Sequence, residues 1–208
     1  MNLALGLADG LFKLGIAVPA DAQARLIKYV SLIEKWNKVH NLTAIRDPEA
    51  MLAHHLLDSL AVLPHLGAAR SLADIGSGAG LPGIPMAIAN PDLAVTLLDS
   101  SHKRQAFQQQ CKAELGLANV TAIHSRVEDF KAEPGFDIVI SRAFSDLAEF
   151  VTAARHLCAP GGCLLAMKGL HPFEEIARLP SDVRLRSVTE LHVPGLNATR
   201  HFLAIEVH

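Results

Sequence analysis

The chain has 208 residues, of which 50% are apolar and 19% are charged, and its formal net charge is −2. This length suits one domain, or one domain with a small cap, and the composition excludes intrinsic disorder. The near-neutral charge excludes a positive field over the whole molecule, so any nucleic-acid binding must depend on local patches. No apolar run approaches the length of a membrane span, and we expect no membrane partner.

The three cysteines, Cys111, Cys158 and Cys163, form no CxxC pair. They therefore predict neither a disulfide framework nor a zinc cluster, and we expect them to be small buried residues of a cytoplasmic protein. Residues 1–22 are apolar, but no basic residue precedes the apolar stretch and Asp9 interrupts it. We therefore do not expect a signal peptide.

Residues 1–69 show only helical patterns and are expected to form an N-terminal helical cap. Three helices are predicted there, over 2–14, 21–39 and 48–63. Asp21 is the expected N-cap of the second helix. Lys28, Lys35 and Lys38 share one stripe of that helix, which is either a solvated face or a surface that faces RNA.

Residues 70–208 alternate short apolar strands with helical segments. Strands are predicted at 71–75, 94–99, 120–124, 136–141, 162–168, 183–193 and 199–207. Helices are predicted at 82–89, 102–115, 146–157 and 172–179. The alternation indicates an α/β fold with a mostly parallel seven-stranded sheet, covered on both faces. The last two strands are joined by Pro194-Gly195-Leu196-Asn197 and predict an antiparallel C-terminal hairpin.

A glycine-rich loop follows the first strand, with glycines at 76, 78, 80 and 83. Such a loop lies at the carboxyl edge of the sheet, where a ligand can approach bare backbone. Counted from Gly78 it spells the dinucleotide pattern GxGxxG, whereas from Gly76 it reads GxGxG, as in loops that bind S-adenosylmethionine (SAM). Pro82 removes one N–H from the start of the next helix, which weakens a pyrophosphate site. We therefore favour SAM over a nicotinamide cofactor.

Two further strand ends fit an adenosine ligand. Asp99 ends the second strand about 20 residues beyond the glycines, where a carboxylate can accept the ribose hydroxyls. The alternative is a plain N-cap for the helix at 102–115. Val127 and Glu128 follow the third strand, at the turn that borders the adenine in SAM-dependent enzymes. That turn can also be a short acidic turn with no ligand.

Several segments together carry a specific resemblance. They are 42–45, 55–59, 74–85, 125–128, 140–144, 167–169, 192–194 and 200–201. Over about residues 20–207 the chain resembles the bacterial RsmG (GidB) family. The resemblance implies a Rossmann-like, SAM-dependent methyltransferase fold. It also implies methyl transfer to N7 of a guanine in the decoding-site loop of 16S rRNA, at position 527 in the usual numbering. The substrate would be 16S rRNA, alone or in a small ribosomal subunit or assembly intermediate.

The resemblance also assigns residues. It implies that the cofactor is bordered by Gly76, Leu81, Val127, Glu128 and Arg142. Gly78 and Asp99 join this set from the loop and strand arguments above. Arg142 has an alternative role, in which its guanidinium pairs with the guanine or with an RNA phosphate instead of the cofactor.

The predicted active-site strand ends in Ser141-Arg142-Ala143-Phe144, without the D/N-P-P-Y/F motif of enzymes that methylate exocyclic amines. Methylation at C5 of a pyrimidine needs a cysteine nucleophile, and no cysteine is well placed. Guanine N7 carries a lone pair and no proton, so the protein needs to orient the reactants and no catalytic residue is assigned.

Three residues are candidates for RNA contact. Phe144 is expected either to stack on a base turned out of its loop or to pack in the core. Lys168 and Arg200 lie near strand ends and are either phosphate contacts or solvated charges. His55 and Asp58 are i, i+3 neighbours but lack a third ligand, so we expect no metal. Other possible functions are methylation of another RNA base or of a small molecule, and a non-catalytic SAM-binding role in ribosome assembly.

Overall fold

Seven strands form one mixed sheet in a computed structural model that describes residues 2–207. The strands are β1 (Ser71–Ile75), β2 (Ala94–Asp99), β3 (Val120–His124), β4 (Phe136–Ser141), β5 (Cys158–Lys168), β6 (Val183–Leu191) and β7 (Arg200–Val207). Their order across the sheet is β3-β2-β1-β4-β5-β7-β6. Strands β1 to β5 are parallel, and β7 lies antiparallel between β5 and β6. The predicted parallel sheet with an antiparallel C-terminal hairpin is confirmed.

Within residues 2–207, seven helices accompany the sheet. Those of the cap are α1 (Leu3–Leu14), α2 (Ala20–His40) and α3, which runs through Pro48–Met51, Leu52–Leu57 and Asp58–Leu60. The others are α4 (Gly83–Ala89), α5 (His102–Leu115), α6 (Leu147–Ala154) and α7 (Phe173–Ala177). Short 3₁₀ turns follow α3 and α6, at Leu63–His65 and Arg155–Leu157. Within residues 2–207, every helix is too short or too polar to cross a bilayer.

Each face of the sheet has its own core. The cap helices, α4 and α5 pack on one face, where Leu72 of β1 is fully buried. Helix α6 packs on the other face, against the neighbouring Ala73. The alternation arises because successive side chains of a strand point to opposite faces. The cap thus shares a core with the sheet, while a domain boundary between residues 69 and 70 stays a prediction.

The start of α2 differs from the prediction. The helix begins at Ala20 and its N-cap residue is Pro19, whose backbone is extended (ψ 151°). Asp21 lies inside the first turn, where its carboxylate pairs with Arg25 at 3.1 Å. The expectation that Asp21 caps the helix is therefore wrong. In this turn an acidic side chain still interacts favourably with the helix dipole.

The lysine stripe of α2 is partly occupied by contacts within the chain. Lys28 donates to the carbonyl oxygen of Glu114 at 2.7 Å, which ties α2 to the end of α5. Lys38 pairs with Glu34 at 3.5 Å on the helix surface. The choice between a solvated face and an RNA-facing stripe stays open.

Strand β5 begins earlier than predicted. The predicted strand starts at residue 162, but β5 starts at Cys158 and includes Ala159-Pro160-Gly161-Gly162. Phe136 pairs with Cys158 and Ile138 pairs with Cys163, so these four residues oppose Asp137 alone. Such an interruption is a β-bulge, which the proline and glycines accommodate within a continuous strand.

Helix α3 contains a π-helical turn over Leu52–Leu57, which the sequence pattern did not predict. The N–H of Asp58 donates to Ala53, five residues earlier, in place of the usual four. Such turns occur mostly within α-helices and often at functional sites. Within this turn the carbonyl oxygen of His54 accepts a hydrogen bond from Arg142 Nη1 at 3.2 Å.

The cap contacts the glycine loop through one buried hydroxyl. Tyr29 of α2 is fully buried, and its hydroxyl donates to the carbonyl oxygen of Ala79 at 2.7 Å. Gln108 of α5 holds the same loop from the side, because its Nε2 donates to Ser77 Oγ and to the carbonyl oxygen of Gly78, both at 2.9 Å. The loop is thus fastened to two helices, one of which belongs to the cap.

Replacing Tyr29 with Phe should lower the free energy of unfolding by about 1–3 kcal/mol, because the buried carbonyl of Ala79 loses its partner. Chemical denaturation at constant pH measures this change. Ser31→Ala is the matched control, since it deletes an exposed hydroxyl from the same helix. Equal stability of Tyr29→Phe and Ser31→Ala would contradict the role given to this bond.

Candidate functional site

A cavity of about 350 Å³ opens where β1, β2, β3 and β4 end. Its lining consists of Ile75, Gly76, Leu98, Asp99, Ser100, Arg104, Ser125, Arg126, Val127, Glu128, Ala143 and Phe144. The carboxyl edge of a parallel sheet is where open α/β folds bind ligands, and the volume falls in the range of small-molecule sites. We call it the strand-end cavity.

The start of the glycine loop forms part of the wall of this cavity. Gly76 has φ +65°, and a Cβ added there would lie 2.8 Å from the Cβ of Ala143. The N–H groups of Gly76 and Ser77 both donate to the carbonyl oxygen of Leu98, at 2.9 and 3.2 Å. A side chain at Gly76 would therefore strain the backbone and collide with the opposite wall.

Asp99 joins the loop to β2 and is only 3% exposed. Its Oδ2 accepts from the N–H of Gly78 at 2.8 Å, and its Oδ1 accepts from the N–H of Ser101 at 2.9 Å. Arg104 lies 3.5 Å from Oδ2. The N-cap residue of α5 is Ser101, so the alternative in which Asp99 caps that helix is wrong.

The structure separates the residues predicted to border the cofactor. Gly76, Asp99, Val127 and Glu128 all line the strand-end cavity, but Gly78 and Leu81 are not in its lining. Leu81 is 6% exposed and packs in the core shared with the cap, while its N–H donates to Ser77 at 2.8 Å. Gly78 and Leu81 therefore belong to the loop beside the cavity but do not line the cavity. Whether any of these residues contacts a cofactor stays a prediction.

Phe144 lines the strand-end cavity rather than the second cavity described below. Its ring is half-buried and lies 5.2 Å from the ring of Phe150 in α6. Phe144 therefore packs against α6 and also borders the cavity, while its stacking on an RNA base stays a prediction.

Arg142 lies in a second cavity of about 410 Å³. This cavity is lined by Ile45, His54, His55, Asp58, Arg142, Met167, Lys168, Gly169 and Arg200. Arg142 and Ala143 are consecutive at the end of β4, so the two cavities are neighbours along one strand end. We call this one the arginine cavity.

Asp58 fixes both guanidinium groups of the arginine cavity. Its Oδ2 accepts from Arg142 Nη1 at 2.9 Å, and its Oδ1 accepts from Arg200 Nε at 3.1 Å. Asp58 is 4% exposed. Two cations share one carboxylate, which leaves one net positive charge facing the cavity. The sequence signal for this cluster was the His55–Asp58 spacing, but nothing in that spacing identified the two arginines as the partners.

Lys168 is fully used by the protein itself. Its ammonium donates to the carbonyl oxygens of Phe144 and Ser145, at 3.1 and 2.8 Å, and to Glu175 Oε2 at 2.7 Å. An ammonium has three N–H donors, so all three are occupied. Lys168 thereby fastens the segment after β4 that carries Phe144. Its predicted contact with RNA would require one of these bonds to be exchanged.

Burial holds His55 and two of the cysteines in their uncharged forms. Burial, aided by the charge of Arg142, lowers the pKa of His55 to about 4, and its Nε2 lies 3.1 Å from Thr43 Oγ1. Burial raises the pKa of the Cys158 thiol to about 12 and raises that of Cys111 further. At neutral pH the histidine is uncharged and both thiols keep their protons.

Asp74 is the penultimate residue of β1, just before the glycine loop, and is fully buried. Burial raises its pKa to about 7, partly offset by the N–H of Gly83, which donates to Oδ2 at 2.8 Å. Arg142 lowers and Asp99 raises the same pKa by their charges. Within residues 2–207, Asp74 Oδ1 has no hydrogen-bond partner. The folded protein therefore holds a proton that the unfolded chain releases near pH 4.

This difference makes the stability depend on pH. Between about pH 4 and 7 the folded state binds more protons at Asp74 than the unfolded state, so the contribution of Asp74 to stability falls as pH rises. Asp74→Asn keeps an acceptor for Gly83 and removes the titration. The mutant should gain stability relative to wild type by up to about 4 kcal/mol between pH 4 and 8, measured by thermal denaturation at each pH.

Asp137→Asn is a control of opposite sign. The pKa of Asp137 is lowered by hydrogen bonds from the backbone N–H of Arg70, the backbone N–H of Ser71 and the hydroxyl of Ser71. That carboxylate therefore stabilises the fold above the unfolded pKa, and the stabilisation is lost as pH falls through the lower folded pKa. Asp137→Asn should be less stable than wild type at neutral pH, with a smaller deficit in acid. A constant difference between Asp74→Asn and wild type would contradict the buried titration.

Among residues 2–207, no group of three or more His, Cys, Asp or Glu side chains is arranged to hold a metal ion.

Solved structures share the fold at low sequence identity. An O-methyltransferase, TomG, from Streptomyces achromogenes superposes with a TM-score of 0.61 at 19% identity, covering 100% of this chain and 99% of its own. A SAM-dependent methyltransferase from Aquifex aeolicus gives a TM-score of 0.60 at 19% identity, covering 86% and 98%. The predicted Rossmann-like methyltransferase fold is confirmed.

Sequence comparison identifies the family. A protein named ribosomal RNA small subunit methyltransferase G from Nitrosospira multiformis is 54% identical, over 99% of this chain and 98% of its own length. A protein of the same name from Aromatoleum aromaticum is 54% identical, over 96% and 97%. The model of the GidB family, rRNA small subunit methyltransferase G, matches residues 22–203. The chain therefore belongs to the GidB family of rRNA small subunit methyltransferases.

Proposed function

We propose that this protein transfers a methyl group from SAM to N7 of a guanine in 16S rRNA, at the decoding-site position 527 implied by its family. One observation carries the proposal. In a chain that is 54% identical to rRNA small subunit methyltransferases, a ligand-sized cavity lies against a glycine loop at the ends of four parallel strands. An enzyme that acts on rRNA is expected to work in the cytoplasm.

The strand-end cavity fits the cofactor that we propose. Its walls combine bare backbone at Gly76, two carboxylates at Asp99 and Glu128, and apolar surface at Val127 and Leu98. This mixture suits a molecule with a ribose, a purine and a charged amino-acid end. We infer that Asp99 and Glu128 accept its hydroxyl and amino hydrogens while Gly76 admits the molecule close to the sheet.

The chemistry of guanine N7 explains why the site has no obvious base. When bound, SAM supplies an electrophilic methyl group on a positively charged sulfur. N7 has a free lone pair and no proton to remove, so attack requires only alignment of the two atoms. Ala143 and Phe144 follow β4 and line the strand-end cavity, directly after Arg142 of the arginine cavity, where they can set the position of a base against the methyl donor.

The arginine cavity is the neighbouring site for the RNA. The guanidinium groups of Arg142 and Arg200 are held in place by Asp58, so they can meet a phosphate or the oxygen edge of a guanine without further ordering. Arg142 also keeps the role that the family resemblance implies, as a border of the cofactor site. Lys168 supports this site by fastening the segment that carries Phe144.

Transfer of a labelled methyl group tests the function directly. Purified protein with tritiated SAM should label deproteinised 16S rRNA or small ribosomal subunits, and nucleoside analysis should find 7-methylguanosine. Primer extension after chemical cleavage at the methylated base should locate it in the decoding-site loop. Label in another nucleoside would favour a different RNA methyltransferase. SAM binding without transfer to either substrate would favour a non-catalytic assembly factor.

Gly76→Ala should weaken SAM binding at least tenfold, because the added Cβ strains the backbone and narrows the cavity against Ala143. Isothermal titration calorimetry measures the dissociation constant. Gly116→Ala is a matched control, since Gly116 has the same φ of +65° and open space around its missing Cβ. Both variants lose stability from the strained backbone, and Gly76→Ala loses more because of its contact with Ala143. Equal SAM affinity in the two variants would contradict the proposed cofactor site.

A further inference from the structure

The segment after β5 carries two large apolar side chains in solvent. Phe173, at the start of α7, is 73% exposed, and Leu170 is 83% exposed. Exposed large apolar residues that lie together often mark binding surfaces. This pair lies directly after Gly169, which lines the arginine cavity. We call Leu170, His171 and Phe173 the aromatic shelf.

A continuous series of contacts connects the shelf to the arginine cavity. The ring of Phe173 stacks on His171 with centroids 3.8 Å apart, and His171 meets the ring of His201 edge-on at 5.2 Å. His201 is buried and adjoins Arg200, the residue that Asp58 holds. The aromatic surface and the guanidinium meet at Gly169, because His201 Nδ1 lies 3.3 Å from its carbonyl oxygen and Arg200 Nη1 lies 3.8 Å from where its Cβ would be.

Polar contacts anchor α7, the helix that begins with Phe173. Glu175 of α7 accepts from Lys168 and from the N–H of Leu147, at 2.7 and 2.8 Å. Arg178, just beyond α7, pairs with Asp146 at 2.8 Å. These bonds attach α7 to the segment after β4, so the aromatic ring is presented without the entropy cost of ordering a loop.

The guanidinium of Arg200 has N–H donors available for a ligand. Its Nε is bonded to Asp58, and within residues 2–207 its two terminal nitrogens donate no hydrogen bond. They project next to Gly169, where a Cβ would lie 3.8 Å from Nη1. A guanidinium fixed by a buried carboxylate, with free terminal donors, is suited to a phosphate.

We propose that the aromatic shelf and Arg200 together bind one unpaired nucleotide of the substrate RNA next to the target guanine, with its base on Phe173 and its phosphate on Arg200. The inference rests on the proposed function and adds a second contact to it. An aromatic face beside a cation is the combination that binds single-stranded nucleic acid, and stacking accepts any base. Two exposed apolar side chains are too few for a stable protein interface, which favours a nucleotide over a protein.

The test measures affinity for deproteinised 16S rRNA over a series of salt concentrations, together with the KM for RNA in methyl transfer. Phe173→Ala should weaken RNA binding roughly 5- to 100-fold with an unchanged salt dependence. Phe173→Trp should retain the affinity. Arg200→Gln should make the slope of log affinity against log salt shallower by about 0.7, the value for one phosphate contact on a single strand. The SAM affinity of Phe173→Ala should equal that of wild type.

Phe12→Ala is the matched control, because Phe12 is 84% exposed on α1 and borders a different cavity. Unchanged RNA affinity and KM in Phe173→Ala would overturn the inference. So would a change confined to sedimentation, which would show that a second copy of the chain covers the shelf. If wild-type protein methylates rRNA but Phe173→Ala behaves like Phe12→Ala, only the shelf is refuted. If wild-type protein transfers no methyl group, the proposed function itself fails.

Discussion

The shape of the site depends on the glycine loop, whose conformation is fixed by hydrogen bonds from neighbouring elements. A glycine-rich segment has few side chains to pack and loses much conformational entropy when it is ordered. Here the surrounding elements fix it: Leu98 and Asp99 of β2 accept its N–H groups, and Tyr29 and Gln108 donate to its carbonyl oxygens. Because Tyr29 belongs to the cap, the shape of the strand-end cavity is set by both parts of the chain. The cap is thus a component of the site as well as a cover for the sheet.

Asp58 makes a second connection between the cap and the sheet. It bonds Arg142 and Arg200, which are 84 and 142 residues away in sequence. Burying a carboxylate between two cations costs desolvation energy that their attraction only partly returns, so such a cluster is weak evidence for stability. Its clearer consequence is geometric. Three remote segments meet at one point, and both guanidinium groups point into a cavity beside the proposed methyl-transfer site.

The sequence predicted the elements well because their signals are local. The strands and helices could be anticipated from alternating patterns, and the glycine loop, Asp99 and the turn at Val127 were found from position after successive strands. The π-helical turn and the β5 bulge were missed, since each depends on how a segment packs against its neighbours. The partners of Asp58 and Lys168 were also beyond prediction, because their bonds join segments that only the fold brings together. Family resemblance identified Arg142 but gave no indication that it lies in a different cavity from Gly76.

The charge balance of the proposed reaction explains why this site has no charged acid, base or nucleophile aimed at the reacting atoms. Methylation of N7 gives the base one positive charge while the donor loses one, so charge moves across a short distance and little new charge develops. Preorganised dipoles, which dominate catalysis where an oxyanion forms, therefore have little to stabilise here. Alignment is the contribution that remains, and it is worth on the order of 7–11 kcal/mol. This account is consistent with a site that works by aligning two molecules. His55 is neutral, the thiols are protonated, and Asp58 and Lys168 fix the neighbouring groups in place.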